Sequence, residues 1–137
     1  MERRLIVSVH VASGALAGAL VRSRPVAVAL GPVLHALADR VPHRDGPTRP
    51  FEIVSGVVGV LALAAARGPL DAATLGAAAA AIPDAEHVLP LPRPGGRKLF
   101  PSHRYPGWHR SGGIGVAVQL IAAGAVLGAL LARPRRP

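Results

Sequence analysis

The sequence predicts an all-α fold, an integral membrane bundle of about five short helices. The expected layout is a possible duplicated helical hairpin followed by one C-terminal helix. Three observations lead there. Half of the 137 residues are hydrophobic, and the mean hydropathy is +0.39. Only Phe51, Phe100, Tyr105 and Trp108 are aromatic, so the packing must rely on Ala, Val and Leu. Such small side chains suit close helix contact in lipid, where packing rather than hydrophobic expulsion drives association. Apolar residues also run in five stretches with Arg and Lys at their margins, the usual marking of membrane boundaries. The length fits a single domain, residues 1–137.

The stretches are Leu5–Val21, Val26–Ala38, Ile53–Ala66, Leu70–Ile82 and Ile114–Ala132. The last is the clearest span, with Gln119 as its lone polar residue and a length close to the roughly 20 residues needed to cross. Gly124 and Gly128 in it, like Gly14 and Gly18 in the first, have small-xxx-small spacing and predict tight helix contact. The middle three are short for spans and would tilt, extend into the interface or sit in a thinned bilayer. The first stretch follows Glu2-Arg3-Arg4 as a signal peptide would, but His10 in its middle and the Arg22/Arg24 flank speak against cleavage. Arg40–Pro50 and Pro83–Gly113, rich in Pro, Gly, His and Arg, read as loops.

Composition narrows the chemistry. With no Cys, disulfides and thiolate metal sites are excluded, and any metal must be held by N and O ligands. The net charge of +9 invites a nucleic-acid partner. Its cations sit in short clusters between apolar runs, however, without the interleaved aromatics that stack on bases. No nucleic acid is therefore expected, and the lipid bilayer is the expected partner.

A faint internal repeat runs through the first four stretches. His10-Val-Ala-Ser13-Gly14 aligns with Glu52-Ile-Val-Ser55-Gly56, and Leu30-Gly31 precedes Asp39 by the spacing at which Leu75-Gly76 precedes Asp84. Each Asp is followed by a His, at His43 and His87. Glu52 thus takes the place of His10 in the second half.

The six histidines sit in or beside these motifs. His35 and Asp39, four apart, project from one helix face as a two-ligand arm for Zn²⁺ or a similar ion. Val41-Pro42 ends that helix, because a residue before Pro resists the α region. The following turn can fold His43 and Asp45 back toward the ion, although Asp45 reads best as a turn residue. Asp84, Glu86 and His87 fall within four residues, and His103 and His109 lie just before the last stretch. With five spans, the N-terminus and the loops after spans two and four share one side, which collects every His. The metal set is His10, His35, Asp39, His43, Asp84, His87, His103 and His109, holding one or two divalent ions, zinc first among them. Single loop histidines have a plainer reading as solvated side chains, and the His/Asp pairs as ion pairs. Ten of the sixteen Lys/Arg lie on the His side, which leans it toward the cytoplasm of a multi-pass cell-membrane protein.

These elements resemble the membrane-bound metal-dependent hydrolases, the LexA-regulated group and its small relatives. The carriers are His10-x-x-x-Gly14, His35-Ala-Leu-Ala-Asp39 with Val41-Pro42-His43, Pro83-Asp84-Ala85-Glu86-His87, and Ser102-His103-Arg104 through His109-Arg110-Ser111. They are similar to the family's TH, HxxxD, PDxDH and HRGxTHS elements. Val9 stands where Thr is usual, Glu86 replaces Asp, and HxxxD precedes PDxDH. HxxxD is also similar to a motif of zinc-dependent phospholipases C and related nucleases.

The resemblance implies metal-assisted hydrolysis at the membrane surface, of a phosphoester such as a phospholipid head group. Glu86 or Glu52 would serve as general base. Arg104 and Arg110, with Arg97 and Lys98 beside them, would hold phosphate oxygens; interfacial anchoring to anionic lipid is the plainer role for these cations. The alternative is a non-catalytic metal-binding membrane protein, a sensor, chaperone or transporter component. Only His10 and Gln119 lie well inside a span, which weighs against transport. A third reading is a structural bundle subunit.

Overall fold

A computed structural model describes residues 7–133, and among them the regular structure is entirely helical. The helices are α1 (Val7–Val21), α2 (Arg24–Arg40), α3 (Arg49–Arg67), α4 (Ala72–Ala81), α5 (Pro101–Arg104) and α6 (Val116–Leu131). Two 3₁₀ segments, Ile82–His87 and Pro94–Gly96, lie between α4 and α5. Leu5 and the tail beyond Arg133 lie outside the described residues.

The ends follow local chemistry. Pro lies in the first turn of α2 and of α3, where its missing N–H is no loss. Thr48 caps α3 by accepting from the Phe51 amide, and Asp71 caps α4 through the Ala73 amide at 2.9 Å. Gly68 closes α3 with φ 98°, a conformation that favours Gly. α2 and α3 start earlier and end later than their apolar stretches, because polar residues fill their first and last turns. The segment expected as one loop from Pro83 to Gly113 is instead partly helical, with Pro101 starting the single turn of α5.

α4 is the axis of the bundle. Seven of its ten residues are buried, and it lies between α1 and α2. A Cβ on Gly14 would overlap the Gly76 carbonyl, one on Gly18 the Ala72 carbonyl, and one on Gly31 the Ala79 side chain. Backbone therefore meets backbone, as small residues at helix interfaces allow. The small-residue expectation fails in α6, where a Cβ on Gly124 or Gly128 meets nothing within 4 Å. These two glycines are exposed, on the outward face of the last helix.

The interior is small and polar while the exterior is aliphatic. Val7, Val11, Ala15, Leu63, Ala77 and Leu130 form the apolar core. His10, His35, Asp39, Glu52, Asp84, Glu86 and Ser102 are buried around it. Outside lie Leu16 and Leu20, Val28 and Val33, Val57 and Leu61, and Ile121, which is 72% exposed. Among the described residues one helix, α3, is long and apolar enough to cross a membrane; α1 and α6 are shorter apolar helices.

Candidate metal centre

Four elements bring the centre together. α1 contributes His10 from its second turn, and α2 contributes His35 and Asp39 from adjacent turns of one face. The 3₁₀ segment after α4 contributes Asp84, Glu86 and His87, and α5 contributes Ser102 and His103. Pro83, which lacks an N–H, lies where α4 gives way to that segment, and the segment contacts α2.

Each imidazole at the heart of the site is held by its far nitrogen. Nδ1 of His35 lies 2.7 Å from the Ala80 carbonyl, which can only accept, so the proton sits on Nδ1 and Nε2 carries a lone pair. Nδ1 of His103 lies 2.6 Å from the Glu86 carboxylate, which leaves its Nε2 in the same state. Those two Nε2 atoms are 3.1 Å apart. Asp39 Oδ2 lies 3.3 Å from His35 Nε2 and 3.5 Å from His103 Nε2, and Asp84 Oδ1 lies 3.6 and 3.7 Å from the same atoms. Four acceptors thus converge on one point. Only cationic charge reconciles them, either further protons on the imidazoles or a metal ion.

The spacing fits an ion. Zinc–nitrogen and zinc–oxygen distances near 2.0–2.1 Å give a tetrahedral edge of about 3.3 Å. Five of the six edges of this donor set lie between 3.1 and 3.7 Å. The surroundings also match a ligand shell, since imidazole ligands usually give their other N–H to a carbonyl or carboxylate. Ser102, fully buried, donates to Asp39 Oδ2 at 2.5 Å and aims that carboxylate.

Further donors crowd the same place. His10 stacks on His35 with ring centroids 3.8 Å apart, and its Nε2 lies 3.4 Å from Asp39 Oδ1. Among the described residues, no hydrogen-bond partner reaches the buried His10 Nδ1 and Asp84 Oδ2. The combinations His10/His35/Asp84, His35/Asp39/His103 and Asp84/His87/His103 each offer donors close enough to share an ion. Burial and the adjacent His103 and Lys98 push the His87 imidazole down to about 3, so it is neutral near pH 7, as a ligand must be. Lys98 contacts its ring, and Arg49 donates to its backbone carbonyl.

The structure rearranges several expected roles. Glu86 is buried and accepts from the Leu99 and Phe100 amides as well as from His103, the setting of a group that positions a ligand rather than of an unengaged base. Glu52 is fully buried at the foot of α1, where Ser8 and Val7 face its carboxylate without reaching good hydrogen-bond geometry. His43 and His109 do not join the central set. They pair with each other and with Asp45. Arg104 and Arg110 are exposed. Ser102 was legible only as a neighbour of His103, because its partner Asp39 is far away in sequence.

One open groove adjoins the centre. It holds about 340 Å³, is almost wholly apolar, and runs between α3 and the segment after α4, lined by Val57, Val60, Ala85 and Leu89 and also by Asp84. The chain matches no protein-family profile, no curated protein and no solved structure.

Proposed function

We propose that this chain is a metal-dependent hydrolase embedded in the bilayer, acting on a phosphoester of an amphiphilic substrate such as a phospholipid. The observation that carries the reading is the convergence of His35, His103, Asp39 and Asp84 at tetrahedral spacing, each imidazole oriented through its far nitrogen. A borderline divalent ion such as Zn²⁺ suits two imidazoles and two carboxylates. It would supply Lewis acidity toward water and toward a phosphoryl oxygen. His10 and His87 exceed the needs of one tetrahedral ion, which supports a second ion beside the first.

The membrane placement is supported by the aliphatic exterior of α1, α2, α3 and α6, an area of exposed Val, Leu and Ile that water disfavours. The short helices would sit tilted or in a thinned bilayer as a multi-pass bundle. The groove, which Asp84 helps to line, fits an acyl chain and would bring the head group near the centre. Arg104 and Arg110, exposed near α5, would meet its phosphate or anionic lipid, with the His-bearing face toward the cytoplasm.

A second reading, metal binding without turnover, is favoured by one feature. The four central donors already close a tetrahedral shell, the habit of structural rather than catalytic zinc, and Glu86 is engaged by three donors. Detergent-purified protein separates the readings. Wild type is expected to hold stoichiometric metal that His35→Ala and Asp84→Ala lose; metal-free wild type would sink both. Turnover of a phosphodiester lipid, lost in those variants, marks the enzyme. Full metal with no turnover on any phosphoester marks the second reading.

A further inference from the structure

We propose a separate divalent-metal site formed by His43, Asp45 and His109, which clasps the loop after α2 to the loop before α6. Each residue offers a donor atom within 4.8 Å of the others, and none of the three takes part in the groupings around His35. The two imidazoles meet edge to face with centroids 4.7 Å apart.

Three features mark the trio as a built site. His43 is buried, and its Nδ1 lies 2.6 Å from the Val41 carbonyl, so its proton is held there and Nε2 presents a lone pair. Asp45 Oδ1 is buried with no hydrogen-bond partner among the described residues, a costly state that a cation relieves. The backbone beneath is zipped: Arg44 N donates to Ile114 O at 2.9 Å and Ile114 N to Pro42 O at 3.1 Å. Gly113, at φ 75°, lies where a Cβ would overlap the Pro42 carbonyl. Buried Gln119 of α6 donates to the Arg44 carbonyl at 3.0 Å, so the strip is anchored from below.

Two imidazoles and one carboxylate suit Zn²⁺ or a neighbouring first-row ion, with water completing the shell. The ligands come from the loop after α2 and the loop between α5 and α6, so the ion ties down the segment that follows His103. The role is structural and does not depend on catalysis at the central site.

The absence of cysteine gives a site-specific test. Full-length Asp45→Cys protein in detergent is titrated with Co²⁺. A sulfur-to-cobalt charge-transfer band whose limiting intensity corresponds to one thiolate-bound cobalt per chain, and which is lost when His43→Gln or His109→Gln is added, is the expected result. No band would overturn the proposal. So would a band that survives both histidine changes, or one matched by Arg44→Cys, whose position is exposed and outside the trio. As a second measurement, Asp45→Asn should bind one equivalent of Zn²⁺ fewer than wild type while keeping the His35-dependent metal; unchanged stoichiometry overturns the site. Failure of the central centre looks different, as loss of His35-dependent metal with the cobalt band intact.

Discussion

Nε2 of His35 and Nε2 of His103 face each other at 3.1 Å, and each ring is anchored through its other nitrogen, one to the Ala80 carbonyl and one to Glu86. Two lone pairs at that distance repel unless positive charge lies between them. Glu86→Gln leaves an acceptor for His103 but turns an N–H group against the Leu99 or Phe100 amide. Because it acts through His103, this change is expected to weaken central metal binding by about 10–100-fold without abolishing it. Competition with a chelator of known affinity measures this, and an unchanged affinity would remove Glu86 from its positioning role.

Ser102→Ala tests the other anchor. Its hydroxyl is buried and aims Asp39 Oδ2, so removal leaves a carboxylate lone pair unsatisfied at a cost of about 1–3 kcal/mol. A lower Tm and weaker metal binding should appear together. Ser102→Thr, which keeps the hydroxyl, should recover the metal affinity even where crowding lowers Tm.

The glycines of α1 offer a sharper contrast. Gly14 and Gly18 touch the backbone of α4, so Gly14→Val must push α1 away and carry His10 with it. Overpacking of this kind costs typically about 1–3 kcal/mol, and more where the obstacle is backbone. Gly124→Ala and Gly128→Ala meet open space and gain helix propensity, so stability should stay level or rise by up to about 1 kcal/mol. Thermal unfolding in one detergent ranks the three variants, and comparable losses in α6 would mean that its glycines pack against a partner.

That contrast also shows what the sequence revealed. The five main helices fall on the five apolar stretches, with Pro, Thr48 and Asp71 marking the starts of α2, α3 and α4 locally. Asp39 and Asp84, aligned by the repeat, do flank the same histidine pair. Identical Gly-xxx-Gly spacing in α1 and α6 could not reveal which face was covered, since that depends on a neighbour distant in sequence. For the same reason the sequence assigns His43 and His109 to the central ion, with Asp45 beside them as a turn residue, and does not show that the three meet apart from it. Their pairing is decided by the backbone zipper between two loops, which has no local signature.

Acid should release the central metal. Ligand imidazoles bind only when neutral, so protons compete with the ion and affinity falls as pH drops. His87 is a poor competitor for protons, because its folded value near 3 lies below the ordinary 6.5. In metal-free protein the unfolded chain therefore takes up a proton at His87 between about pH 6.5 and 3 that the folded chain refuses, so this group makes stability decline as pH falls through that window. Lys98→Met removes an ammonium that adds to the depression and should raise the His87 value and tighten metal binding by up to about fivefold. NMR titration of the His87 ring in metal-free protein reads the first effect. A value that does not move would mean that burial, the larger cause, accounts for the whole depression.

The groove carries the last prediction, because it separates substrate binding from chemistry. Val57 lies on its wall, is exposed and offers no donor to the metal groupings, so Val57→Trp should fill the channel while every ligand remains. A hydrolase that seats an acyl chain there would show a higher KM for a long-chain phospholipid, with kcat largely retained. A short, soluble phosphodiester that never enters the groove should be turned over as before. Metal content must match wild type for the comparison to count. Equal losses on both substrates would place the groove outside the substrate path, leaving it as a crevice that the surrounding lipid fills.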